Sequence, residues 1–192
     1  SWPLLATSDI ALNGDADIHV ALRQHQFTSE DMQVEIAAAD AYAQVRGNAV
    51  TFQLNAPAVV MTDDNSVRLS FTNITSEGDI NSTSRLGLGK QNFHIDTIRR
   101  ENAPDGDLNV ADVDISEALT EQNGRLDYQF DMGLAKIEVP GAPTGSLAMT
   151  WLLKDVDSAS VLTLTEKLEQ ADAESQFMTD ADAMQALDTL LA

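Results

Sequence analysis

Three histidines, a run of aspartates and one glycine-rich loop are the residues of this chain whose types and spacing could do chemistry. Gly87-Leu88-Gly89-Lys90-Gln91-Asn92 starts as a dinucleotide-binding loop does, with glycines where a backbone must approach a pyrophosphate. It lacks the third glycine and lies between two strand-like runs rather than before a helix, so it reads as a strand softened by glycine. His19, His25 and His94 are too scattered for a zinc site, which gathers its ligands at short fixed spacings. Strand parity puts His19 and His25 on a common face with Arg23, and all three histidines read as surface residues.

The aspartates raise calcium. Asp105-Gly106-Asp107-Leu108-Asn109 begins with the ligand rhythm of an EF-hand loop, but Val110 stands where that loop needs glycine and Ser116 where it needs a bidentate glutamate. The plainer reading is a turn at Asp105-Gly106-Asp107, followed by a strand with Asp112 and Asp114 on its solvent face. Hydrolytic signatures are missing: there is no G-x-S-x-G elbow and no H-E-x-x-H. Paired carboxylates such as Asp127 and Asp131 are expected by chance in so acidic a chain and do not indicate a glycosidase. Asn73-Ile74-Thr75 and Asn81-Ser82-Thr83 match glycosylation sequons, which carry meaning only in a eukaryotic secretory context. No catalytic residue, metal or cofactor is expected.

The elements that would position any site are strands. Ile18, Val20 and Leu22 alternate with His19, Ala21 and Arg23; Met32, Val34 and Ile36 with Gln33 and Glu35; Val50, Phe52 and Leu54 with Thr51 and Gln53; Val67, Leu69 and Phe71 with Arg68 and Ser70. Such alternation is the period of a strand with one buried face. The longest case sets Leu126, Tyr128, Phe130, Met132 and Leu134 against Arg125, Asp127, Gln129 and Asp131, a strand of about 30 Å at ~3.3 Å per residue. Leu147, Met149, Trp151 and Leu153 make a last strand. Turn signals such as Asn13-Gly14-Asp15, Gly47-Asn48, Pro104-Asp105-Gly106 and Asn123-Gly124 separate the runs, as in a meander of hairpins. Roughly nine or ten strands would make a flat sheet over about 40 Å wide, which accumulated twist must bend. Asp157-Ser158 then caps a helix whose Val161, Leu164, Thr165 and Leu168 share a face. Thr179 with Asp182 starts a second, lined by Met184, Leu187 and Leu191.

Composition sets the exclusions. Of 192 residues 31 are acidic and 11 basic, a formal net charge of -20, so phosphate backbones and anionic headgroups are repelled and no nucleic-acid partner is expected. Cysteine is absent, which removes disulfides, thiolate nucleophiles and thiolate-bound metals. The 43% apolar content suits a folded chain. No apolar run approaches the ~20 residues that span a bilayer, and Ser1-Trp2-Pro3 does not look like a natural start, so a fragment of a longer protein is expected.

The second half carries a resemblance. The runs from Gly87 to Ile98, Leu108 to Ile115, Gly124 to Ile137 and Gly145 to Leu162, the last with the phrase Leu153-Lys154-Asp155-Val156-Asp157 leading into a helix, resemble the YdgA-like family of bacterial proteins of unknown function, across about residues 85–168. The resemblance implies a periplasmic domain of Gram-negative bacteria, held at the inner membrane by an anchor outside this chain. It brings no catalytic motif.

The resulting expectation is a mainly β (α+β) chain, residues 1–192 forming a single curved antiparallel meander with one or two C-terminal helices, about 157–192, packed on the sheet. Its expected role is a non-enzymatic cell-envelope domain holding a lipid or hydrophobic peptide in an apolar concave face lined by Phe52, Leu54, Phe71, Tyr128, Phe130, Met132, Met149 and Trp151. The alternative is a structural or assembly module that pairs an edge strand with a protein partner or with another copy. Membrane contact is expected only through the absent anchor.

Overall fold

The computed structural model describes residues 4–29, 31–81 and 86–173. Eleven strands form one antiparallel sheet: β1 (Leu4–Ile10), β2 (Ala16–Leu22), β3 (His25–Ser29), β4 (Met32–Ile36), β5 (Ala39–Arg46), β6 (Ala49–Asp63), β7 (Arg68–Asn81), β8 (Leu88–Glu101), β9 (Leu108–Gln122), β10 (Arg125–Glu138) and β11 (Gly145–Asp157). The order across the sheet is β1-β2-β5-β6-β7-β8-β9-β10-β11, and β1 and β11 do not meet, so the sheet is open. Among the described strands the one detour is the β3–β4 hairpin. It docks on the second half of β6, where Ile36 faces Val59 and Met32 faces Asp63, while the first half of β6 pairs with β5. Pro57, with no N–H to donate, stands at this handover from β5 to β4.

From β6 to β10 every ladder skips one pair along a single transverse line. The skipped positions are Pro57, Asn73, Asp96, Asp112 and Ala135, and the register beyond them is unchanged, so no residue has been inserted. The apolar phase slips by one residue along the same line. Phe52, Leu54 and Ala56 give way to Val59 and Met61; Leu69 and Phe71 to Ile74; Phe93 and Ile95 to Ile98; Leu108 and Val110 to Val113 and Ile115; Leu134 to Ile137. Asn73 and Asp112 hold left-handed backbone, each with φ of 49°. A left-handed residue resets which way the following side chains point. Apolar residues on the two sides of the line therefore share a face: Ile95 and Val113 from one side pack with Val110, Phe71, Ile98 and Ile137 from the other.

This is a single layer. Among the described residues seven are buried, Val34, Ala56, Ile95, Val110, Val113, Leu126 and Val156, all apolar, and none of the described side chains is fully enclosed. At the β10–β11 corner an extra residue in β11 offsets Leu126/Val156 from Tyr128/Leu153, and left-handed Asp155 takes up the bulge, its N–H donating to Asp127 Oδ1. The helix α1 (Ser158–Ala173) starts where expected: Asp157 Oδ2 accepts from the Ser160 N–H and from its hydroxyl, both at 2.8 Å. It packs on the sheet mainly against β11, with Val161, Leu162, Leu164 and Thr165 half-buried. The second helix expected from Thr179 to Leu191 lies outside the described residues. Among those described, no helix is long and apolar enough to cross a membrane.

Candidate functional site

Opposed residues of an antiparallel ladder share a face, so the pairings sort the side chains without ambiguity. One row runs Val20–Ala41–Leu54–Ser76–Phe93–Ile115–Met132–Met149 across eight strands. The next runs Ile18–Ala43–Phe52–Gly78–Gln91–Glu117–Phe130–Trp151, and a third ends in Leu119–Tyr128–Leu153. With Phe71, which packs on the buried cluster across the transverse line, all eight residues expected to line a ligand surface stand on this one face.

They fall into two areas of that face. Phe52 and Leu54 line an apolar groove of about 410 Å³ with Ile18, Val20, Ala41 and Phe93. The Phe52 ring lies over Gly78, where any Cβ would come within 2.4 Å of its Cζ. Tyr128, Phe130, Met132, Met149 and Trp151 make a second apolar area at the other end, with the Phe130 and Trp151 rings 6.3 Å apart and tilted. β6 and β10 are four ladders apart, about 19 Å at ~4.8 Å each, and Gln91 and Glu117 separate the two areas along the Phe52 row. Burial and the nearby Glu117 carboxylate raise the Tyr128 phenol above its ordinary range.

The opposite face is polar. Between the rows Thr7–His19–Tyr42–Gln53–Glu77–Asn92 and Asp9–Asp17–Gln44–Thr51–Asp79–Lys90 runs a groove of about 670 Å³. His19 stacks on Tyr42 with ring centroids 4.3 Å apart, and its Nε2 meets Asp40 Oδ1 at 3.0 Å. His25 begins β3, a separate strand from that of His19, so the two do not share a strand face as parity had suggested.

His94, read from the sequence as a surface histidine, has two carboxylate partners that the sequence did not show. Its Nδ1 lies 2.7 Å from Asp114 Oδ1 and its Nε2 2.9 Å from Asp96 Oδ1, while Asn73 Nδ2 donates to Asp96 Oδ2. A neutral imidazole donates through one nitrogen only, so two carboxylate partners call for the imidazolium. The hydrogen bond to Asp114, then that to Asp96, raise the His94 pKa above its ordinary value against a small opposing effect of burial. Asn73 and then His94 lower that of Asp96. Asn73 and Asp96 of the cluster lie on the transverse line, and the cluster ties β7, β8 and β9 together along it. Asp114 is on the solvent face, as read from the sequence, and is also an ion-pair partner. The signal that could have found it is the His94-Asp96 spacing of two on one strand face.

The sign of the pH dependence follows. A raised histidine pKa stabilises the fold fully below the unfolded value near 6.5, and this is lost as pH rises through the folded value. The lowered Asp96 contributes above the ordinary carboxylate range and loses its effect as pH falls through its folded value. Because the His94 side chain is 35% exposed, solvent screening limits the effect to about 1 kcal/mol or less. The melting-temperature gap between the wild type and His94→Gln is expected to be widest near pH 6 and to close by pH 9, by roughly 2–4 °C in thermal denaturation. An equal gap at both pH values would show that His94 is not charged in this cluster.

Residues 2–192 match the model of a family described as bacterial protein of unknown function. No curated protein and no solved structure matches the chain.

Proposed function

Since the chain belongs to that bacterial family, DUF945, we propose that it is a non-enzymatic domain of the cell envelope that holds an acyl chain or other hydrophobic ligand against its apolar sheet face. The proposal includes a periplasmic position, an inner-membrane anchor outside this sequence, and kinship with YdgA-like proteins through residues 85–168. The observation that carries it is the one-sided sheet: apolar side chains from β2 to β11 share a face on which no second layer of described residues is packed, and Trp151 is 64% exposed there. Apolar surface left to water costs about 25 cal/mol per Å², and a bound acyl chain recovers about 0.8 kcal/mol per buried CH₂. The groove beside Phe52 and Leu54 is the place where walls already exist.

Organic extraction of the purified protein followed by mass spectrometry is expected to release lipid, and a fluorescent fatty acid to bind saturably. Leu54→Asn is expected to weaken the probe about 10-fold or more, since it exchanges a wall of the groove for an amide. Thr51→Ser, on the polar face between Gln44 and Asp79 and not a wall of the groove, is expected to leave binding unchanged. An empty extract together with an unsaturable probe signal would end this reading. The alternative of a structural or assembly module is favoured by a different observation: among the described residues β1 and β11 each have one strand neighbour only.

A further inference from the structure

Sheet edges present unpaired N–H and C=O groups, and soluble proteins protect them with charge, proline, bulges or a covering element. The outer edge of β11 has little such protection. Ser146-Leu147-Ala148-Met149-Thr150-Trp151-Leu152-Leu153 holds no charge and no proline in a chain of which 22% is charged, and the first charged residue is Lys154. The strand is apolar on both faces. Leu147, Trp151 and Leu153 extend the apolar face, while Leu152, 55% exposed, stands on the polar one opposite Gln129. Except for half-buried Met149, residues 145–155 are exposed, so no described element lies over them.

We propose that two copies of this chain join through β11, each strand antiparallel to the other about a two-fold axis at Thr150. This goes beyond the ligand reading and does not depend on it. The sequence of β11 is complementary to itself in this register. Met149 faces Trp151 of the second copy and Trp151 faces its Met149, a thioether–aromatic contact made twice. Leu147 faces Leu153, Ala148 faces Leu152, and Lys154 and Asp155 fall opposite Ser146 and Gly145, so no like charges meet despite the net charge of -20. Each opposed pair also has matching parity, so the apolar face of one copy runs on into that of the next. Centring on Trp151 would set two indoles against each other and Asp155 against Leu147. Centring on Met149 would shorten the pairing to residues 145–153. Joining β11 to β1 of another copy matches 13 residues to 7 and, as a head-to-tail contact, leaves an edge free on each of the two chains.

The chain has no cysteine, so single thiols report the geometry directly. Thr150→Cys is expected to give a covalent dimer under mild oxidation or with a short bis-thiol linker, because residue 150 meets its own copy at about 5 Å. Ala148→Cys alone is expected to stay monomeric on the gel, its copy lying about 14 Å away along the strand, yet to link when mixed with Leu152→Cys. In analytical ultracentrifugation the wild type is expected to sediment as a dimer. Leu147→Lys with Leu153→Lys, both exposed positions, is expected to weaken association at least 10-fold, and Leu147→Lys with Leu153→Glu to restore it. A monomeric wild type overturns the proposal. So does a Thr150→Cys protein, folded by circular dichroism, that links to Leu5→Cys on β1 rather than to itself.

Discussion

Gly89→Ala is expected to destabilise the fold by more than about 3 kcal/mol and to lower the melting temperature by roughly 6–12 °C. Gly89 sits in β8 with φ of 154°, directly opposite Ile80 of β7. A Cβ there would stand 1.9 Å from the Asp79 carbonyl oxygen and 2.9 Å from its carbonyl carbon and from Ile80 Cα. All three atoms are backbone, so no rotamer change relieves the overlap. β7 and β8 would have to part where they pair. Gly133→Ala is the control: it lies in β10, its added Cβ meets nothing within 4 Å, and its φ is not positive. It is expected to leave the melting temperature within about 2 °C. Equal melting temperatures for the two variants would show that β7 and β8 are not held at the observed separation.

The double variant Asn73→Val with Asp112→Val is expected to cost about 3–4 kcal/mol. Both positions are left-handed at φ of 49°, a conformation that costs an ordinary side chain about 1–2 kcal/mol and a β-branched one more. The Asn73 change also removes the hydrogen bond to Asp96. Asp96 of β8 stands between the two sites, so the double variant against the two single ones reads how far they are coupled. Asn73→Gly with Asp112→Gly keeps the backbone accessible and is expected to lose about 1 kcal/mol or less. Denaturant unfolding of the single, double and glycine variants reads these differences. If valine and glycine variants are equally stable, the phase slip does not depend on left-handed backbone at these residues.

Strand existence was legible because each half-buried strand repeats with period two, and nothing else in a chain this polar does so over runs as long as Leu126 to Leu134. The common face of Phe52, Leu54, Phe71, Tyr128, Phe130, Met132, Met149 and Trp151 followed from the same parity. Shorter strands were harder to see: β5 sets Ala39, Ala41 and Ala43 on its inward phase, residues too small to mark it. The transverse line was illegible for a different reason. Within one strand, Thr72-Asn73, Asp96-Thr97 or Ala111-Asp112 looks like a strand end, and only the register between strands shows that these interruptions fall on one line. His94 was hidden likewise, since Asp114 reaches it from 20 residues away. What lies on the apolar face was beyond reach, because alternation reports which side of a strand is dry and not what keeps it so.

The strand order has a kinetic consequence. From β5 to β11 each strand pairs with its neighbour in the chain, and the β3–β4 hairpin is the single insertion between β2 and β5. Each ladder from β5 to β11 can thus close over one short turn, without the long loops that slow most β-sandwiches. With one layer and contacts confined to adjacent strands, the sheet behaves as a one-dimensional array in which pairing starts at any hairpin and spreads to both sides. Unfolding then frays inward from β1 and β11. A partner strand laid on either edge would slow this loss while touching none of the interior.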